Sequence, residues 1–171
     1  MEGWHKLNVT IAKPQTKHAK AIAAICSSGW KQTVEGKLSE EYQIQNIVYW
    51  YNHERVVHDI HNGAYTFTAL IDSKVAGVIG GGMIGPNAGE IFVLYVDETY
   101  RYKGIGRHLL EVLTQKQMIS GAAEQWVSVQ KGNQLGIPFY EARGFKCHGR
   151  RVTTTETGEK KVALRYSRQV R

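Results

Sequence analysis

The segment "EIFVLYVDETYRYKGIGRHLL" (90–110) constrains the fold of this chain more than any other stretch. It opens on seven residues rich in β-branched and aromatic side chains, the strongest strand signal in the sequence. It runs on into a helix expected to end near Ser120, with Leu109, Leu110, Val112, Leu113 and Met118 as its core positions. Between strand and helix lies "RYKGIG" (101–106). First-turn amides of a helix have no intrahelical acceptor, and the macrodipole adds partial positive charge there. Glycines at 104 and 106 remove side chains that would cover those amides, while Arg101 and Lys103 add full charge. Such a layout suits an anion, and a phosphate in particular.

Three loop patterns compete for this stretch. A dinucleotide fingerprint needs a third glycine, and position 109 is Leu. A Walker A loop needs Lys-Ser/Thr after its last glycine, where Arg107-His108 stand instead. A pyrophosphate cradle of the R/Q-x-x-G-x-G/A type is matched position by position by Arg101-Tyr102-Lys103-Gly104-Ile105-Gly106. The bland alternative is a basic helix start that binds nothing.

The flanking pattern supplies the architecture. "LNVTIA" (7–12) alternates as a half-buried strand, and Pro14 suits the first turn of a helix running to about Ser27. "SSGWKQTVEGK" reads as a loop, and Ser39 as the cap of a second helix over 39–58. Strands follow at 64–71, 75–84 and 90–96, joined by tight turns at "DSK" and "PNAG". The glycine run "GGG" is poor strand material, so a bulge or a close backbone approach is expected there. A strand at 124–130, a short helix ending at Gly144 and a hairpin around "TGE" close the chain. Hairpin-linked strands followed by β-α-β units imply a single α/β domain over 1–171, with a mixed, mostly antiparallel sheet and helices on its faces.

Bulk properties narrow the class. The chain of 171 residues carries a formal charge of +7, which favours a phosphate-bearing or otherwise acidic partner. Cys26 and Cys147 form no CxxC pair, so neither a zinc ribbon nor a disulfide framework is expected, and a reducing cytoplasmic setting fits. The opening "MEGWHKLNVTIAKPQ" has no apolar h-region, and no stretch reads as a membrane span. His53, His58 and His61 lack a further ligand at firm spacing, so no metal is expected. The basic runs do not interleave with aromatics, and no nucleic-acid motif is present.

The two segments 89–110 and "WVSVQKGNQLGIPFYEARGFK" (126–146), in this order and spacing, resemble the GNAT superfamily of acyl-CoA-dependent N-acyltransferases. The resemblance spans about Val75 to Phe145; the N-terminal third matches in layout alone. It implies a sheet that splays between strands 90–96 and 124–130 and takes acetyl-CoA as co-substrate. The main chain of Leu94, Tyr95 and Val96 would pair with the pantetheine arm, and the amides of Arg101, Tyr102, Lys103, Gly104, Ile105 and Gly106, extending to Arg107, would hold the pyrophosphate. Asn133 matches a CoA-contacting Asn of the family, though it also fits a simple helix cap. Tyr140 matches the tyrosine that protonates the departing thiolate, or packs as a core aromatic beside Phe139 and Phe145.

By the same resemblance Glu90 is the candidate base, with a solvent-facing strand start as the alternative, and the Val96 amide would polarise the thioester carbonyl. The acceptor pocket is expected from helix 39–58 and the loops "SSGWKQTVEGK" and "MIGPNAG", near Trp30, Tyr49, Trp50 and Tyr51. The expected reaction is transfer of acetyl to a primary amine of a small molecule, with a non-catalytic acyl-CoA-binding module or a protein-amine acetyltransferase as alternatives. A basic host disfavours a polyamine such as spermidine. A homodimer, common in that family, stays open.

Overall fold

The computed structural model describes residues 8–171. Its seven strands form one sheet in the order β1 (Val9–Ala12), β2 (Phe67–Ile71), β3 (Lys74–Met83), β4 (Ala88–Val96), β5 (Glu124–Gln130), β7 (Lys160–Gln169), β6 (Lys146–Thr154). Every neighbouring pair is antiparallel except β4–β5. The expected mixed, mostly antiparallel α/β sheet is therefore present. Leu7, expected to begin β1, lies outside the described residues.

Helices cover both faces. On one side α1 (Ala19–Val34) buries Ala19, Ile22 and Cys26 against Val75 and Val78 of β3 and Val56 of α3 (His53–His61), and continues the stripe with Trp30 and Val34 against Leu38 and Tyr95. On the other, α4 (Ile105–Ile119) packs Leu109, Leu110 and Leu113 against Ile79, Ile91 and Val127. The short α5 (Gly136–Glu141) ends near Gly144, whose φ of +89° is the left-handed conformation expected of it.

Three readings are corrected. "SSGWKQTV" is helix rather than loop: α1 continues to Val34 because Trp30 and Val34 extend its apolar stripe, and a Cβ at Gly29 would lie 2.3 Å from the Tyr95 ring, so glycine there permits close packing. The expected helix 39–58 is two, α2 (Glu40–Trp50) and α3, because the Asn52 side chain accepts from Arg55 N–H at 2.8 Å and starts a new helix. Val112 and Met118 are only half-buried on α4, and their expected places go to Thr114 and Gln117.

The glycine run resolves into both expected devices. The β3–β4 register shifts between Gly80 and Gly81, so that Gly80 faces Val93 while Gly81 faces Ile91, and Phe92 bulges out. A Cβ on Gly80 would meet the Ala64 carbonyl oxygen at 1.9 Å, an approach only glycine allows. Across the bulge the strand's parity inverts. Gly89 and Ile91 face α4 before it; Leu94 and Val96 join that same core after it, leaving Val93 and Tyr95 to the α1 side.

A buried polar network fixes α4 to the sheet. Gln125, fully buried, donates to Thr114 Oγ1 at 3.1 Å and Gln117 Oε1 at 3.0 Å, and accepts from Arg168 Nε at 3.1 Å. Gln117 in turn donates to the Glu90 carbonyl at 3.0 Å. Gln125→Ala leaves these partners unsatisfied in the core and is expected to lower unfolding free energy by about 2 kcal/mol in urea denaturation.

Candidate active site

The parallel pairing of β4 with β5 runs only from Ala88↔Glu124 to Ile91↔Val127. Beyond that point β4 stays with β3 and β5 with β7, and the strands diverge. A cleft of about 740 Å³ opens between them, lined by Phe92 to Val96 on one wall and Ser128 to Gln130 on the other. Asp97 N–H donates to the Ala76 carbonyl at 2.7 Å, which sets the alternation of β4. The main-chain groups of Tyr95 therefore turn to β3, opposite Val78, and those of Leu94 and Val96 turn to the open edge. Of the three expected strand residues, Leu94 and Val96 offer main-chain partners, and the half-buried ring of Tyr95 packs against the α1 side.

The cradle sits at the top of this edge. Tyr102 (φ +62°) and Gly104 (φ +82°) are both left-handed, a turn that brings successive amides into one concavity. The first backbone bond of α4 is His108 N–H to the Gly104 carbonyl at 3.0 Å, so Ile105, Gly106 and Arg107 keep N–H groups without an intrahelical acceptor. Arg101, Tyr102, Gly104, Ile105, Gly106 and Arg107 all line the cleft; Lys103 is exposed and does not. Arg101 is positioned by Gln32 of α1, to whose Oε1 it donates at 2.6 Å. Arg107 stands 3.9 Å from Glu111, an exposed pair of little energetic weight. His108 is exposed. A Cβ on Gly106 would sit 3.5 Å from the Phe139 ring and 3.6 Å from Val96, ordinary contact distances. Gly106 lies on the cleft wall between Phe139 and Val96, and the free amides and Arg side chains fit a pyrophosphate.

Tyr140 comes from α5 on the far wall. Its ring is packed edge-on between Phe139 and Phe145, each 5.2 Å away, so its packing role and its place in the cleft coincide. Burial pushes its phenol well above the ordinary value of 10.0. Asn133 also lines the cleft, and its Oδ1 accepts from the Leu135 and Gly136 amides at 3.1 and 2.8 Å, capping the start of α5.

Glu90 stands one residue outside the cleft lining. Its carboxylate Oε1 is ion-paired with Arg165 Nη1, which also donates to Ser128 Oγ at 2.8 Å, and the Arg165 guanidinium lies 5.2 Å from the Trp126 ring. Trp30 and Tyr51 line the cleft as expected; Tyr49 and Trp50 point outward, with the Arg55 guanidinium 5.2 and 4.4 Å from their rings. The loop "MIGPNAG" contributes no lining residue. Lys161 of β7, which the sequence reading passed over, does line the cleft. His58 bonds to Asn62 at 2.8 Å, and no group of three or more His, Cys, Asp or Glu placed to hold a metal occurs among the described residues. Among them, too, no helix is long and apolar enough to cross a membrane.

A seven-stranded sheet splayed between two parallel strands, with a glycine-rich helix start at the mouth of the gap, defines an N-acetyltransferase fold. The acetyltransferase (GNAT) family model matches residues 23–145, and the chain belongs to that family. It is similar to a spermidine N(1)-acetyltransferase of Thermoplasma acidophilum, 28% identical over 145 residues, covering 82% of this chain and 89% of that one. Over a shorter stretch of 55 residues, 32% of this chain and 37% of the relative, it is 38% identical to the ribosomal protein bS18 alanine N-acetyltransferase of Escherichia coli K12. Its fold superposes on the crystal structure of the PaiA N-acetyltransferase of Thermoplasma acidophilum in complex with coenzyme A. There the TM-score is 0.77 and the identity 26%, over 95% of this chain and 99% of that chain.

The two loop glycines differ in a testable way. Gly104→Ala forces a left-handed alanine and is expected to cost about 1 kcal/mol in chemical denaturation. Gly106→Ala, with room for its Cβ at a helical position, should be neutral or slightly stabilising by the same measurement.

Proposed function

We propose that residues 1–171 act as a single acyl-CoA N-acyltransferase domain that moves acetyl from acetyl-CoA to a primary amine of a small molecule, in a ternary complex. The observation that carries the reading is the splay itself: an open strand edge at Leu94 and Val96 that leads from the amide cradle to the phenol of Tyr140. Acetyl-CoA supplies an activated thioester. The Leu94 and Val96 main chain would align the pantetheine arm as an added strand, and the amides from Arg101 to Arg107 would hold the pyrophosphate. The Val96 N–H is the donor best placed to polarise the thioester carbonyl.

The amine nitrogen attacks the carbonyl carbon, the C–N bond forms and the C–S bond breaks, so one proton must leave the amine and one must reach the sulfur. Tyr140 donates the second and is reprotonated from solvent. Glu90 takes the first through water; its Oε2 makes no hydrogen bond among the described residues. No covalent enzyme nucleophile is required, because alignment supplies much of the rate. Free Cys26 and Cys147 fit a reducing, cytoplasmic setting.

A small acceptor is favoured by the hairpin at the edge of the cleft. The β6–β7 hairpin reaches across to the α1–α2 junction, where Ser39 N–H donates to Glu159 Oε2 at 2.6 Å. Lys161 and Ala163 of that hairpin line the cleft, and the tie would narrow the side from which a folded protein could present an amine. The polyamine named for the archaeal relative is less favoured: among the described residues the cleft lining carries Arg101, Arg107, Arg143 and Lys161 and no carboxylate.

The test is release of CoA thiol with acetyl-CoA and a panel of amines. Tyr140→Phe is expected to lower kcat roughly a hundredfold while the acetyl-CoA Kd stays within a few-fold. Tight acetyl-CoA binding without turnover on any amine would instead indicate a non-catalytic binding module. Because burial raises the Tyr140 pKa, the phenol stays protonated at every pH below its ordinary value. The wild-type kcat profile should therefore show no alkaline fall attributable to Tyr140 up to about pH 10.

A further inference from the structure

Lys161 stands apart from the other cations of the cleft. Arg101 and Arg107 belong to the cradle at the start of α4, and Arg143, just beyond α5, covers the Phe139 ring and donates to the Phe139 carbonyl at 2.8 Å. Lys161 lies on β7, where Leu164 and Tyr166 point into the α4-side core, so that Lys161, Ala163 and Arg165 face the opposite side of the sheet. That is the side of α1, whose Trp30 and Thr33 line the same cleft. β5 ends its pairing at Gln130↔Ala163, so Lys161 emerges two residues beyond, at the mouth of the splay. A pyrophosphate on the α4 cradle is met there by the free amides and by Arg101 and Arg107.

The ammonium of Lys161 makes no ion pair and no hydrogen bond among the described residues. Two acids, one on β4 and one just before β7, are already committed. Glu90 is held by Arg165, and Glu159 accepts from Ser39 N–H through Oε2 and from Thr157 Oγ1 at 2.9 Å through Oε1. Burial lowers the Lys161 pKa, which marks a charge partly removed from water with nothing set against it. A half-buried lysine at the acceptor end of a carboxylate-free cleft is a receptor for an anion that arrives with the substrate.

We infer that the acceptor is a small amphoteric amine, whose reacting nitrogen lies near Tyr140 and whose anionic group, carboxylate or phosphonate, pairs with Lys161. This rests on the acetyl-transfer reading above and sharpens it. Lys161 is then a specificity residue: it touches the substrate's anionic group, away from the reacting atoms. A free amino acid, an ω-amino acid and an aminoalkylphosphonate share the required chemistry.

The experiment measures kcat/KM by thiol release with acetyl-CoA for three sets of primary amines, sorted by the charge carried beyond the reacting nitrogen: neutral (benzylamine, tryptamine), cationic (putrescine, spermidine) and anionic (glycine, β-alanine, 2-aminoethylphosphonate). The anionic set is expected to exceed the cationic set by roughly tenfold to a hundredfold in the wild type, the range of one charge-assisted contact. The carboxylate and phosphonate arms show which anion is taken. Lys161→Met should collapse the anionic-to-neutral ratio, and Lys161→Glu should reverse the anionic-to-cationic order, a sign change that a merely structural role would not produce. Acetyl-CoA affinity of each variant reports whether it is folded. Equal rates across the three sets, preference for spermidine, or an unchanged ratio in both folded variants would overturn the inference and leave acetyl transfer standing. No turnover on any set would remove the acetyl-transfer reading, and this inference with it.

Discussion

Everything in this molecule that bears on chemistry follows from one failure of pairing. β4 and β5 are parallel neighbours for four residues, Ala88 to Ile91 against Glu124 to Val127, and then part. A strand edge inside a protein rarely keeps unpaired N–H and C=O groups, because an unsatisfied buried backbone group costs as much as a lost hydrogen bond. Here the edge at Leu94 and Val96 opens to a cleft rather than to another strand. The bulge at Phe92 sits just past the point of divergence. It inverts the parity of the strand, so that Leu94 and Val96 hold their side chains in the α4 core while Tyr95 anchors to α1. The divergence is therefore supported on both faces.

The second requirement is that α4 should start where this edge ends. Its apolar stripe sets its rotation, but a row of leucines tolerates sliding. The polar contacts do not: Thr114, Gln117 and Gln125, all buried, bond to one another, to the Glu90 carbonyl and to Arg168 with directional geometry. A buried network of this kind specifies one register because any other leaves groups unpaired. It ties the helix that carries the amide cradle to the two strands that form the gap.

The sequence made the chemistry-bearing half of the fold legible and left the other half obscure, for reasons that separate cleanly. The loop "RYKGIG" combines left-handed glycine, free amides and cationic charge within six residues, so its conformation is local and readable. The glycine run announced a bulge because no other residue fits beside the Ala64 carbonyl. The reading failed where distant partners decide. "SSG" looks like a loop break, yet it continues a helix because the Tyr95 ring fills the space that Gly29 leaves. Asn52 was a readable cap that the apolar pattern on either side concealed. The Glu90–Arg165 pair and the Ser39–Glu159 strap join residues 75 and 120 positions apart, beyond the reach of any periodicity.

Charge illustrates the same division. The net +7 pointed to an acidic partner without saying where it would bind, since most of the basic residues are solvated. The fold sorts them. Arg150 and Arg151 sit on the exposed edge strand β6, where charge discourages pairing with another chain. Arg168 is spent on the buried network and Arg165 on Glu90. What remains in the cleft is a cationic lining with separate origins: Arg101 and Arg107 at the cradle, Arg143 beside the Phe139 ring, and Lys161 on β7. Two substrates meeting within it encounter positive charge, and only one of them brings a pyrophosphate. The other must either avoid Lys161 or carry the charge that completes it, and a carboxylate-free cleft gives a polycation no compensating partner.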